Sequence, residues 1–290
     1  MLISRRVFRF LLISLILLLS AAAQARTNDP SPNLSPFVKY TRSPGQLETA
    51  VVTYQNGRGQ MVDLVSAVHI GSKYYYRNLN KRFKAYDAVL YELILPDEMA
   101  GQKLPQNMGA GGSGLSGMQG MMAKSMGLET QVGAIDYSAA NFVHADLTTS
   151  GLQQRMSARQ ENLLTYLMSS LAQSGSMDEK SLGLTEKEFA QLDLMAVLSG
   201  QGTAKDRKLM RKLMAATIAS SGGLMSAMND TAIIAERNKQ AMEVLKRETA
   251  AGKRSLAIYY GAAHMPDMEK RLKKAGWRKV KTDWVKAWAI

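Results

Sequence analysis

The chain has 290 residues, 46% of them hydrophobic, and a formal net charge of +13. This composition is typical of a folded globular protein, and the length suits one substantial α/β domain or two small ones. The chain has no cysteine, which excludes disulfides, thiolate nucleophiles, cysteine metal ligands and a lipidated cysteine. Any metal ion must therefore be held by other side chains, and the first candidates are His69, His144 and His264.

The N-terminus has the pattern of an export signal. Arg5, Arg6 and Arg9 precede an apolar core from 10 to 19, and Ala23-Gln24-Ala25 forms a small-x-small cleavage site. The core is short for a transmembrane helix, although a retained anchor is left open. We expect a signal peptide over 1–25, a flexible leader over 26–36, and a periplasmic or extracellular mature domain over 37–290.

Positive charge remains high after cleavage, because the loss of three arginines leaves +10. Lys and Arg cluster in 205–212 and 270–281, where they alternate with apolar residues in the way of exposed helix or strand faces. The chain lacks the sequence signatures of nucleic-acid-binding modules. We therefore expect no nucleic-acid partner, but peripheral contact with an anionic envelope surface is consistent with the charge. The oligomeric state is not indicated.

The stretch from 60 to 95 predicts a strand, a helix and a second strand. An apolar run stops at His69, a helical segment follows, and the run from 88 to 95 contains one carboxylate, Glu92. Parallel strands end at one edge of a sheet, where ligands of α/β proteins bind. We expect His69 at the end of one strand and Glu92 near the end of its neighbour. The alternative is that His69 only caps its strand and Glu92 faces solvent.

The next two segments predict different structures. Residues 99–127 are rich in Gly and Met without clear periodicity, so we expect a loop that serves as a lid or a surface insertion. Within it, we expect that 108–122 adds nothing to the core. Residues 152–228 have mostly helical patterns, with a capping box at Thr185 and Glu188. They predict a helical insertion whose methionines fill the core.

A strand-like piece from 141 to 146 carries His144 and Asp146, which would share a face of a strand. A helix from about 230 to 250 follows the insertion, and its apolar face includes Arg237. A guanidinium on that face needs a carboxylate, an anion or backbone carbonyls, unless it reaches out to the rim.

The last third of the chain repeats the organisation around His69. An apolar run from 255 to 260 stops at Gly261-Ala262-Ala263-His264 and leads into a helix over 266–274. A final strand, 277–290, places Trp284 and Trp288 on one face. Together the elements predict an α/β fold, with a mixed, largely parallel sheet, flanking helices and a helical insertion.

Four short motifs, taken together, resemble the TraB/TIKI family, which includes GumN-like proteins and belongs to a superfamily with ChaN-like haem-binding proteins and erythromycin esterases. They are Ser66-Ala67-Val68-His69, Tyr91-Glu92-Leu93, Glu236-Arg237-Asn238 and Gly261-Ala262-Ala263-His264. The likeness covers about residues 40–290. It departs from the family at Ser66, where the first GxxH motif has a glycine.

The resemblance implies an exported metal-dependent hydrolase that cleaves peptide or amide bonds in a peptide or protein substrate. It implies His69, His264 and Glu92 as ligands of a divalent ion, manganese or cobalt, with zinc as a further candidate. It also implies Arg237, Glu92, Asn238 and His144 as catalytic residues, with Arg237 steadying an oxyanion. The alternative is a non-enzymatic protein that binds haem or another small ligand in the same cleft.

Overall fold

A computed structural model describes residues 36–105, 115–161, 184–193, 196–197, 199–220 and 231–290. The expected signal peptide over 1–25 lies outside the described residues. The described strands are β1 Val38–Thr41, β2 Gln46–Gln55, β3 Met61–Ala67, β4 Ile70–Gly71, β5 Ala88–Tyr91, β6 Glu129–Thr130, β7 Phe142–His144, β8 Ser255–Gly261 and β9 Arg278–Ala289. The described helices are α1 Lys73–Phe83, α2 Leu115–Met126, α3 Gln131–Ala134, α4 Thr149–Ala158, α5 Glu186–Gln191, α6 Ala204–Ser220, α7 Arg237–Ala250 and α8 Met265–Lys274.

Seven of the described strands form one mixed sheet in the order β1-β2-β3-β8-β5-β7, with β9 paired antiparallel to β2. The central pairs β3–β8, β8–β5 and β5–β7 are parallel. β2 and β3 form the predicted hairpin, whose turn uses Gly59 at a φ of +74°. The expected mixed α/β class with flanking helices is therefore confirmed. The fold class by itself does not test the specific likeness to the family.

The order of the central strands corrects one expectation. β3 and β5 were predicted to be neighbours, but β8 lies between them, with Ala67 aligned to Gly261 and Tyr91 aligned to Tyr259. β8, which follows β5 in the chain by more than 160 residues, thus lies in the middle of the sheet. Its end at Gly261 lies between the chain segments that follow β3 and β5.

Helices cover both faces of the sheet, and each face has its own apolar core. On one face α1, α2 and α6 pack against side chains such as Val65, Val89 and Tyr259. On the other face α7 and α8 pack against Leu64, Leu90 and other side chains of the sheet. The alternation of strand side chains between two buried faces explains why the strands have continuous apolar runs.

Capping side chains and a glycine mark the ends of the helices. Ser72 caps α1 by accepting a hydrogen bond from the Tyr75 amide. The predicted capping box is present at α5, where Glu188 Oε2 accepts from the Thr185 amide and Thr185 Oγ1 accepts from the Glu188 amide. Gly276 follows α8 at a φ of +85°, a conformation that favours glycine at a helix end.

The Gly- and Met-rich segment differs from its prediction in its second half. Residues 115–126 form α2, and Met122, Ala123 and Met126 are buried in the core that they share with α6. The expectation of a loop to residue 127 is therefore wrong for this half, and the burial of Met122 contradicts the expectation that 108–122 adds nothing to the core. Residues 106–114 lie outside the described ranges.

A bulge in β9 separates the two tryptophans that were expected to share a face. The register against β2 shifts between Lys286 and Trp288, because Ala287 is an extra residue. Trp288 is therefore buried with Val285, whereas Trp284 is 38% exposed.

Candidate functional site

The site is built where three parallel strands end next to one another. His69 follows β3, Glu92 follows β5, and Gly261 ends β8 between them, directly before the turn Ala262–His264. A Cβ on Gly261 would lie 3.2 Å from Glu92 Oε2, 3.7 Å from His69 Nε2 and 3.9 Å from His264 Cδ2. The absence of a side chain at Gly261 therefore leaves a small space that two imidazoles and one carboxylate surround. We call this space the Gly261 cradle.

Arg237 joins two carboxylates beside the cradle. Its Nη2 donates to Glu92 Oε1 at 2.7 Å, and its Nε and Nη2 donate to the two oxygens of Asp146 at 2.9 and 2.5 Å. All three side chains are buried. The prediction that Arg237 points inward is confirmed, and of the three kinds of partner expected for it the structure shows carboxylates.

The charges in this cluster control each other's protonation. Burial alone would raise the pKa of Glu92, but the nearby His264 and Arg237 outweigh it and hold that pKa well below its ordinary value. Burial alone would lower the pKa of Arg237, but Asp146 and Glu92 raise it above its ordinary value. The buried cluster thus contains two carboxylates, Glu92 and Asp146, that share the one guanidinium of Arg237.

Asn238 fixes the ring of His264. Its Nδ2 donates to His264 O at 3.2 Å and to Asp267 Oδ2 at 2.8 Å, so its Oδ1 is left to accept from His264 Nδ1 at 2.6 Å. This network places the single ring proton of a neutral His264 on Nδ1. His264 Nε2 then faces Glu92 Oε1 and Arg237 Nη1, each at 3.4 Å.

His69 lies on the other side of the cradle. Its backbone carbonyl accepts from the Gln131 amide at 2.8 Å, which ties the residue to the start of α3. The surrounding protein lowers the pKa of His69 by desolvation, and Arg237 and His264 lower it further against the opposing effect of Glu92. His69 is thus a neutral imidazole with Nε2 directed to the cradle.

His144 lies against different groups. Its Nε2 is 2.7 Å from the carbonyl oxygen of Leu93, and its ring packs 5.5 Å from that of Tyr91. Asp146, two residues further on, is the residue of this segment that contacts Arg237. The arrangement brings together His69, Glu92, Arg237, Asn238 and His264. It adds Asp146, which the sequence analysis placed with His144 but not beside Arg237, and it adds Gly261 and Asp267. A buried arginine that requires more than one carboxylate is the signal that could have indicated Asp146.

The donor set suits a divalent ion in chemical type. Two imidazole nitrogens and a carboxylate are ligands that such ions take, and all three side chains border the cradle. Among the described residues, however, no three His, Asp or Glu side chains already form a group at coordinating spacing. Glu92 also accepts from the Gly261 amide at 2.5 Å and from Arg237. An ion would have to compete with these donors.

Comparison with known proteins found no match to this chain among protein-family models, curated proteins or solved structures. Within the residues that the structure describes, no helix has the length and apolar character needed to cross a membrane. The fold and the site geometry together define a mixed α/β protein. Its candidate site holds histidine side chains and charged side chains at the carboxyl ends of the central strands.

Proposed function

We propose that this chain is an exported hydrolase of the TraB/TIKI type that acts on peptide or amide bonds and uses a divalent ion. The observation that carries the proposal is the convergence of His69 Nε2, Glu92 Oε2 and His264 around the Gly261 cradle. Three of the four sequence motifs that suggested the resemblance supply these residues, and the remaining one supplies Arg237 and Asn238. Export is inferred from the pattern of residues 1–25.

His264 presents Nε2 as its ligand nitrogen. Asn238 Oδ1 accepts the Nδ1 proton, which leaves the lone pair on Nε2 for a bound ion. Glu92 Oε1 lies 3.4 Å from that nitrogen, so the two groups would hold the same ion. Asn238 is a positioning residue in this scheme because it acts through His264.

Arg237 serves a different role from the oxyanion binding suggested by the sequence. Its Nε and Nη2 are engaged by Asp146 and Glu92, and its Nη1 faces His264. The guanidinium therefore orients Glu92 and keeps it ionised. A carboxylate in that state is the form that binds a cation.

His69, Glu92 and His264 would hold the ion, which when bound would acidify a water molecule and polarise the scissile carbonyl. The lowered pKa of His69 suits this role because a ligand must be neutral. Manganese or cobalt is expected from the resemblance, and zinc is compatible with the ligand types.

The proposal is tested on residues 26–290 with a mixture of peptides, with mass spectrometry to detect new termini. Cleavage is expected with Mn²⁺ or Co²⁺ and not with excess chelator. His264→Ala should remove it by orders of magnitude. His144→Ala is the matched histidine variant, and the geometry predicts that it retains cleavage. Cleavage by His264→Ala at the native rate would contradict the assignment, and a Soret band on the purified protein would favour the haem-binding alternative.

A further inference from the structure

A second cavity, of about 760 Å³, lies away from the Gly261 cradle. It is bounded by the β2–β3 turn, the outer side of α7 and the end of α8. Gln60, in its wall, directly precedes β3, whose opposite end is aligned with Gly261. The cavity thus reaches the end of the sheet opposite to the cradle. We call it the α7–α8 groove, and its volume falls in the range of small-molecule sites.

The groove has an apolar floor. Met242 and Leu245 of α7 and the ring of Trp277 after α8 line it. Leu245 is 2% exposed and Trp277 is 7% exposed, so the floor is recessed below the surface. An occupant must therefore insert an apolar part between the two helices.

The rim of the groove is strongly basic. It has five cationic side chains and one acidic side chain, Glu243; the cations are Arg58, Lys239, Lys246, Arg271 and Lys274. Arg271 is paired with Asp267. Across the described ranges, no carboxylate lies within 4.0 Å of the charged nitrogens of the other four. Unpaired cations around an apolar floor complement a ligand with a negative head and an apolar body.

We propose that the α7–α8 groove binds a single-chain anionic amphiphile, with the alkyl chain on the apolar floor and the head group among the rim lysines. The recessed floor favours a detached amphiphile over a flat bilayer surface, which could not reach Leu245 and Trp277. The apolar stretch of this chain from 10 to 19 is a poor occupant, because Arg5, Arg6 and Arg9 beside it would be repelled by the rim. The proposal is independent of hydrolysis at the cradle.

The test uses residues 26–290 and dodecyl phosphate below its micellar concentration, followed by calorimetry and tryptophan fluorescence. Saturable binding of one molecule per chain is expected, with a change in emission that Trp277→Phe abolishes. Neutral dodecyl maltoside and inorganic phosphate should each bind much more weakly, because each lacks half of the recognised chemistry.

Charge variants then locate the head group. Lys239→Glu combined with Lys246→Glu should weaken binding by about tenfold or more, since two attractions become repulsions. Glu243→Lys should strengthen it, a gain that a folding defect would not produce. Lys81→Glu combined with Lys84→Glu, at the end of α1 on the other face of the sheet, makes the same charge change and should have little effect.

Three results would overturn the proposal. The first is the absence of saturable dodecyl phosphate binding by a folded protein. The second is equal binding of dodecyl phosphate and dodecyl maltoside, or affinities that do not respond to the charge variants. The third is binding to phosphatidylglycerol vesicles without binding to dodecyl phosphate, which would identify a membrane surface as the occupant.

Discussion

Arg237, the buried arginine of the site, shows which contacts of a single residue the sequence predicts and which it does not. The helical pattern placed Arg237 on an inward face, and that placement requires a partner of opposite charge. Glu92 was a candidate from its own strand, whereas Asp146 was not recognised as a second partner. The reason is that Asp146 reaches Arg237 through the parallel pairing of β7 with β5, a long-range contact that local patterns do not encode.

Replacement of Arg237 should destabilise the fold. Arg237→Ala leaves Glu92 and Asp146 buried without a counter-charge, and the expected cost in unfolding free energy is about 3–5 kcal/mol. Arg247→Ala in the same helix removes a guanidinium that is 62% exposed and paired with Glu248, and should cost less than about 1 kcal/mol. Urea unfolding measures both variants. Equal effects would mean that Arg237 is not part of a buried ion cluster.

The lowered pKa of His69 predicts that the fold loses stability in acid. Its pKa is lowered from an ordinary value of 6.5, so the unfolded chain binds more protons than the folded chain as the pH falls below that value. Stability from the neutral ring is present above about pH 6.5 and is lost as the pH falls towards the folded pKa. The pKa of Glu92 is also lowered, from an ordinary 4.5, and its contribution is lost only at lower pH.

The measurement is the unfolding free energy of native protein and His69→Gln between about pH 7.5 and about pH 5. The native protein should lose stability over this interval, and His69→Gln should lose less because it has no ring to protonate. The same slope in both proteins would show that His69 does not titrate with a lowered pKa.

At the scale of elements, strongly periodic segments were predictable and weakly periodic segments were not. α1 and α8 have clear apolar faces, and their ends coincide with Ser72 and Gly276. α2 contains several small or flexible residues, and its apolar face becomes evident only where it packs against α6 and the β4–β6 pair. The position of β8 between β3 and β5 was likewise not predictable, because strand order in a sheet is set by tertiary packing.

The buried face of α2 should contribute to stability. Met126 has no exposed surface, so Met126→Ala should cost about 2–5 kcal/mol through lost burial and the cavity left behind. Met121 is 60% exposed in the same helix, and Met121→Ala should change the unfolding free energy by less than about 0.5 kcal/mol. Thermal melts of the two variants make the comparison. A negligible effect of Met126→Ala would restore the view of this segment as a dispensable insertion.

On the scale of the whole molecule, the two candidate sites lie at opposite ends of the central strands. The cradle lies at the carboxyl ends of β3, β8 and β5, where α/β proteins place their ligands. The α7–α8 groove extends to the opposite end, beside the turn that precedes β3. Both proposals therefore predict that groove variants such as Glu243→Lys leave divalent-ion binding intact.

The proposed export is also a property of the whole chain. Protein recovered from an exported fraction should begin near Arg26, because the apolar core and Ala23-Gln24-Ala25 form a cleavable signal. N-terminal sequencing checks this expectation. Recovery of membrane-bound protein that still carries residues 1–25 would identify an anchor instead.

Gly261→Ala tests the central claim most directly. The added methyl group would lie 3.2 Å from Glu92 Oε2 and close to His69, inside the cradle, while a φ of −54° allows alanine without backbone strain. Gly57→Ala, which meets no atom within 4 Å, is the matched control.

The measurement is Mn²⁺ bound per folded chain by equilibrium dialysis. One ion is predicted for the native protein and Gly57→Ala, with a large loss of affinity in Gly261→Ala. Unchanged Mn²⁺ binding by a folded Gly261→Ala variant, or no binding by the native protein, would contradict the account.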